Sequence, residues 1–119
     1  MCIRDSDSIE RLVEMQDAAR AVHLHPDLGR YAQAIVQSTR ENESIALGVS
    51  TRGALAWVAG ARARAFLHDR AHVSIDDLQT LAVPALAHRI VPAQRGAADA
   101  TAMAAERIRD VVASVSVPV

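Results

Sequence analysis

"LGVSTRGALAWVAGARARAFL", residues 47–67, is the stretch on which the fold turns. Ser50 is a good N-cap, because its hydroxyl can take up an amide that the first helical turn leaves unpaired. Beyond it alanine and leucine dominate, a composition that favours helix and lets neighbouring helices approach closely. On a helical wheel Leu55, Val58 and Phe66 share one side, while Trp57 and Leu67 lie on others with alanines between. A helix that is apolar nearly all round is expected to be buried nearly all round. The stretch therefore predicts a central helix from Ser50 to about Asp69. One residue sits awkwardly in it. Arg52 falls in the first turn, where the helix dipole disfavours a cation by about 0.3–1 kcal/mol.

Working outward, residues 7–20 place Ile9, Leu12, Val13 and Gln16 at helical spacing, and "VHLH" follows as a short extended connector. Pro26 suits a first helical position. After it, Leu28, Tyr31, Ala32, Ile35 and Thr39 form one stripe. "ENESIALGV" reads as a loop closing on Gly48. Downstream of the central helix, residues 71–73 form a brief extended link. Ser74 is then an N-cap, and Asp77 completes a capping-box variant. Leu78, Leu81 and Ala82 make the stripe of that helix, which Pro84 is expected to break or kink. "PALAHRIV" would then be a separate short turn or helix. "VPAQRGAADA" is a small-residue linker, and "ATAMAAERIRDVVASV" gives a last amphipathic helix through Met103, Ile108, Val111 and Val112.

The bulk composition agrees with closely packed helices. Half of the 119 residues are apolar, yet Tyr31, Trp57 and Phe66 are the only aromatic ones. The expected fold is all-α, a small bundle of four to five helices. A net charge of −1 leaves no electrostatic footprint for nucleic acid or an anionic membrane, so neither is expected as a partner. No apolar run approaches the roughly 18 residues of a membrane span, and no secretory signal pattern is visible. The expected location is the cytoplasm. Cys2 is the single cysteine and has no internal disulfide partner. All 13 basic residues are arginine. Without lysine the chain carries no Walker A motif, which needs a lysine at the terminal phosphates, and no Schiff-base chemistry.

"MCIRDS" matches the translation of a transposon-type sequencing adapter, so residues 1–6 are read as a non-native segment. The native protein is then expected to extend further upstream. The remaining candidates for chemistry have plain explanations. His23 and His25 alternate and would point the same way from an extended link, but no third ligand stands at suitable spacing for zinc. His68, His72 and His88 are scattered. Asp76 and Asp77 fit capping better than acid–base catalysis. Ser50 has no nucleophile-elbow context, since Arg52 stands where the second glycine would be. Arg62 and Arg64 either pair with acids such as Asp69, Asp76 or Asp77, which is the expected reading, or face a partner. No metal site and no complete catalytic set is expected within this chain. For Arg52 two readings stand side by side. One is an anion-binding arginine beside free helix amides, whose guanidinium suits bidentate contact with phosphate. The other is a solvated arginine, or a bridge to Glu41 or Glu43 in the preceding loop.

Residues 46–91, with "GVSTRG", "HVSIDDL" and "LAHRI", resemble the C-terminal lid domain of MoxR-type AAA+ ATPases and of the related magnesium-chelatase ATPase subunit. The upstream "YAQAIVQSTR" resembles the family's Tyr-Ile-x-x-Leu-Val-x-x-Thr-Arg helix, and the likeness runs in order over residues 7–119. It implies a lid over residues 7–92, with a linker and a C-terminal helix over 93–119 packing on it. It also implies that Arg52 is the sensor 2 arginine, reaching the γ-phosphate of ATP. Thr51 and Gly53 depart from the usual proline and alanine beside it, and glycine is expected to loosen the turn by up to about 1 kcal/mol. ATP and Mg2+ would bind between the lid and an N-terminal α/β domain that carries Walker A and Walker B. The parent protein would be a homo-oligomeric ring working with a von Willebrand factor A-domain partner in chaperone-like remodelling or metal insertion. The alternative from a different class is a free-standing helical interaction module without nucleotide chemistry.

Overall fold

The computed structural model describes residues 8–93 and 99–118. The adapter-like segment and the centre of the small-residue linker lie outside the described residues. Five helices carry the fold: α1 (Ile9–Arg20), α2 (Pro26–Glu41), α3 (Thr51–Leu67), α4 (Ile75–Leu86) and α5 (Ala100–Ser114). Each begins at a side-chain cap. The Ser8, Ser50 and Ser74 hydroxyls, His25 Nδ1 and the Asp99 carboxylate each accept an amide of the first turn. Such caps satisfy donors that the helix itself cannot, which fixes where each helix starts.

The helices are assembled on the α3–α4 pair. The face of α3 that meets the core is the row Gly53, Trp57, Ala61 and Ala65, all buried. Small residues at this four-residue spacing let α4 lie close, with Trp57 as the one large side chain of the row. Its indole N–H donates to Leu78 O at 3.0 Å, so the polar edge of the ring is satisfied although the residue has no exposure. Tyr31, Ile35 and Val36 of α2 and Ile108 and Val111 of α5 close the same core. Gln79 on α4 donates to the Tyr31 hydroxyl at 3.1 Å and ties α2 to α4.

Burial of α3 departs from the sequence expectation. Leu55 and Leu67 are 67% and 70% exposed. The wheel identifies α3 as apolar on several sides, but the fully covered row is Gly53, Trp57, Ala61 and Ala65, with Val58 and Phe66 only partly buried beside it. α1 departs in the same way. It has no buried residue, and its Ile9, Leu12 and Val13 stripe faces solvent.

Two regions taken as irregular contain paired backbone. Ile45–Leu47 forms a strand, β1, within the expected loop, and it pairs antiparallel with β2 (Val91–Pro92) through an irregular register. The two extended links also meet, as a parallel bridge between His23 and His72. Pro84 does not break α4. The helix runs two residues past it to Leu86 and only then tightens into a 3-10 turn at Ala87–Arg89. A proline there removes one intrahelical bond close to the end, where little helix remains to be disrupted.

Candidate functional site

At the N-terminal end of α3 an exposed arginine without a counter-charge sits on a firmly held backbone. The approach to it begins at Gly48, where a Cβ would lie 2.8 Å from Arg40 Cα, Arg40 N and Thr39 C. Only a residue without a side chain lets this loop pass so close to α2. The next residue, Val49, is clamped. Its amide donates to Thr39 Oγ1 at 3.0 Å, and its carbonyl accepts from Arg40 Nε at 2.9 Å. Thr39 is fully buried, and its hydroxyl donates a hydrogen bond to Val36 O at 2.6 Å. The Ser50 hydroxyl then accepts the Gly53 amide at 3.1 Å and opens the helix.

Arg52 follows on this fixed base with its side chain exposed. Among the described residues it makes no ion pair or side-chain hydrogen bond, and neither Glu41 nor Glu43 reaches it; Glu41 instead accepts from Gln37 at 2.6 Å. The amides of Thr51 and Arg52 also donate to nothing among the described contacts. A guanidinium beside unpaired helix amides is an arrangement suited to an anion.

Gly53 has a role different from the expected loosening. A Cβ there would come within 2.9 Å of Arg89 Cδ and 3.0 Å of Val49 Cγ1. Gly53 therefore makes room for Arg89, whose Nε donates to Ala85 O at 3.2 Å. The 3-10 turn after α4 is thereby packed against the base of α3.

The second cluster lies at the other end of α3. Asp77 is fully buried and takes contacts from three residues. Arg70 grips it in bidentate fashion at 2.6 Å, Arg64 donates at 2.6 Å, and the Ser74 amide donates at 2.8 Å as the return half of a capping box. Burial alone would raise the Asp77 carboxyl, but Arg70, Ser74 and Arg64 together hold it well below the usual carboxylate range. The carboxylate raises the Arg70 guanidinium in turn. Every group here is spent on another, so the cluster is a clasp between α3 and α4 and not a reactive centre. Arg64 meets the expected acids, Asp76 and Asp77. Arg62 does not: it has no acid partner among the described residues, and its Nε is buried without a hydrogen bond.

Sequence reasoning counts Thr39 as part of an apolar stripe and passes over Arg40 and Gly48 as positioning residues. The available signal is a threonine at a buried stripe position, followed by an arginine and, soon after, a glycine.

The profile of the AAA lid domain family matches residues 37–111, which holds Thr39, Gly48, Arg52 and Asp77 alike. The chain belongs to the AAA lid domain family. This lid is 37% identical to the uncharacterized protein YeaC of Bacillus subtilis (strain 168) over 111 residues, 92% of this chain and 34% of that protein. A crystal structure of a "putative ATPase" from Cytophaga hutchinsonii superposes with a TM-score of 0.74 at 25% identity, covering 90% of the lid and 36% of that protein. The lid thus spans about a third of the length of each relative. No helix among the described residues is long and apolar enough to cross a membrane.

Proposed function

We propose that this lid is the C-terminal part of a MoxR-like AAA+ ATPase, and that Arg52 is its sensor 2 arginine, contacting the γ-phosphate of ATP. The observation that carries the reading is the unpaired Arg52 at the capped start of α3, above a backbone clamped by Thr39 and Arg40. A guanidinium so presented can donate two parallel bonds to phosphate oxygens, and its charge counters the charge that spreads over them during transfer. Because its base is fixed, little reorganisation is needed when phosphate arrives, which is where electrostatic stabilisation gains most.

The nucleotide would lie between this lid and an α/β domain that supplies the Walker elements. Mg2+ would be held by that domain and the phosphates. The exposed Ile9, Leu12 and Val13 of α1 and the exposed Leu55 of α3 are apolar area that we assign to contact with the rest of the parent chain. A cytoplasmic homo-oligomeric ring, a von Willebrand factor A-domain partner, and remodelling or metal-insertion work complete the proposal. They rest on the resemblance alone. The lid by itself should hydrolyse no ATP.

The test is Arg52→Ala in the full-length parent protein. ATP turnover should fall by about 10- to 100-fold, while the melting temperature of the isolated lid variant stays that of the parent lid. Unchanged turnover would return Arg52 to a solvated surface residue.

A further inference from the structure

The link from α1 to α2 and the link from α3 to α4 run side by side. His23 N donates to Ala71 O at 3.0 Å and Val73 N donates to His23 O at 2.9 Å, which makes His23 and His72 direct partners. Aligned residues of a parallel pair project to the same face, from backbones about 4.8 Å apart. Burial agrees with this. Val22 and Val73 turn into the core, and His23 and His72 are both exposed on the opposite side. Among the described residues neither imidazole makes a hydrogen bond.

We propose that His23 and His72 together bind a divalent transition metal of the Zn2+, Ni2+ or Cu2+ class, clipping one link to the other. Metal–imidazole bonds of about 2.0–2.1 Å in a tetrahedral site put two ligating nitrogens about 3.4 Å apart. Two imidazoles on aligned residues reach that spacing by side-chain rotation, with the backbone already in place. Imidazole ligands select this class over Mg2+ and Ca2+, which require oxygen.

His25 is the obvious third candidate, and its own hydrogen bond disqualifies it. Its ring stands edge-on to that of His23 with centroids 6.4 Å apart, but its Nδ1 accepts the Asp27 amide at 3.0 Å. The neutral ring then carries its proton on Nε2 and has no lone pair there to give. With no third protein ligand gathered among the described residues, water completes the coordination shell.

Isothermal titration of the chain with NiCl2 and ZnCl2, together with thermal unfolding, tests the proposal. A metal that binds only the folded state raises the melting temperature by about 4–8 °C at a tenfold excess over Kd. EDTA should reverse the rise. His23→Ala and His72→Ala should each abolish both the binding heat and the rise, and His72→Gln provides a second variant of the same kind. His25→Ala should keep both. No binding to the unsubstituted chain would overturn the proposal, as would binding that survives loss of His23 or His72. Binding that disappears in His25→Ala would overturn the ligand assignment.

Discussion

Replacing Gly48 by alanine tests whether the approach to Arg52 is held by close backbone contact. The new Cβ would sit 2.8 Å from Arg40 Cα, Arg40 N and Thr39 C, all main-chain atoms of α2 that cannot rotate aside. Ordinary carbon contact begins near 3.5 Å, so the loop has to retreat by about 0.7 Å. The bonds from the Val49 amide to Thr39 Oγ1 and from Arg40 Nε to the Val49 carbonyl both cross this gap, at 3.0 and 2.9 Å. A retreat of that size takes both out of hydrogen-bond range. Overpacking costs about 1–3 kcal/mol and an orphaned buried amide about 1–3 more, so Gly48→Ala should destabilise by about 2–6 kcal/mol. Gly29→Ala is the control. A Cβ there meets only Leu24 Cδ2, at 3.8 Å, and lies within α2, so it should stabilise by about 0.5–1 kcal/mol. Urea unfolding reads both as shifts of midpoint at constant slope. If Gly48→Ala stays within about 0.5 kcal/mol of the parent, or both substitutions move the midpoint the same way, the clamp is not what fixes this loop.

Acid should weaken the clasp around Asp77. A carboxyl held low in the folded state adds stability above its unfolded value of about 3.9, and that stability is lost as pH falls toward the folded value. Urea midpoints should therefore be level from about pH 7 to pH 5 and decline below, and Asp77→Asn should flatten the decline. The same variant should cost about 2–4 kcal/mol at neutral pH, less than for a fully buried pair because Arg64 and Arg70 reach solvent. Trp57→Phe removes the indole bond to Leu78 O and leaves a small void in the α3–α4 seam. A loss of about 1–3 kcal/mol in unfolding free energy is expected, with the helical circular-dichroism signal retained.

What could be read in the sequence was mostly local. The caps at Ser50 and Ser74, the proline start of α2 and the stripe of Tyr31, Ala32, Ile35 and Thr39 depend on neighbours a few positions away, so spacing reveals them. The two small strands were hidden because "IAL" and "VP" are too short to show a period, and their pairing joins residues far apart in sequence. The exposure of Leu55 escaped the wheel for a related reason. A helix apolar on several sides does not declare which side its own domain covers, and α3 turns Gly53, Trp57, Ala61 and Ala65 inward. At the candidate site Arg52 stood out by its electrostatic oddity. Its supports did not, because the contacts of Val49 with Thr39 and Arg40 depend on how a loop returns to a helix.

The clasp and the arginine occupy opposite ends of one helix. Arg64, gripped by Asp77, lies about 18 Å along α3 from Arg52 at 1.5 Å per residue. Held by the ion cluster at one end and by the Val49 clamp at the other, a rod of that length moves only with the body of the lid. On the proposed function, turning the lid as a whole by about 10° about the ion-cluster end would sweep Arg52 through about 3 Å, the difference between touching a phosphate oxygen and missing it. Stiffness at both ends would then set how finely small rotations of the whole lid are translated into contact made or broken at Arg52.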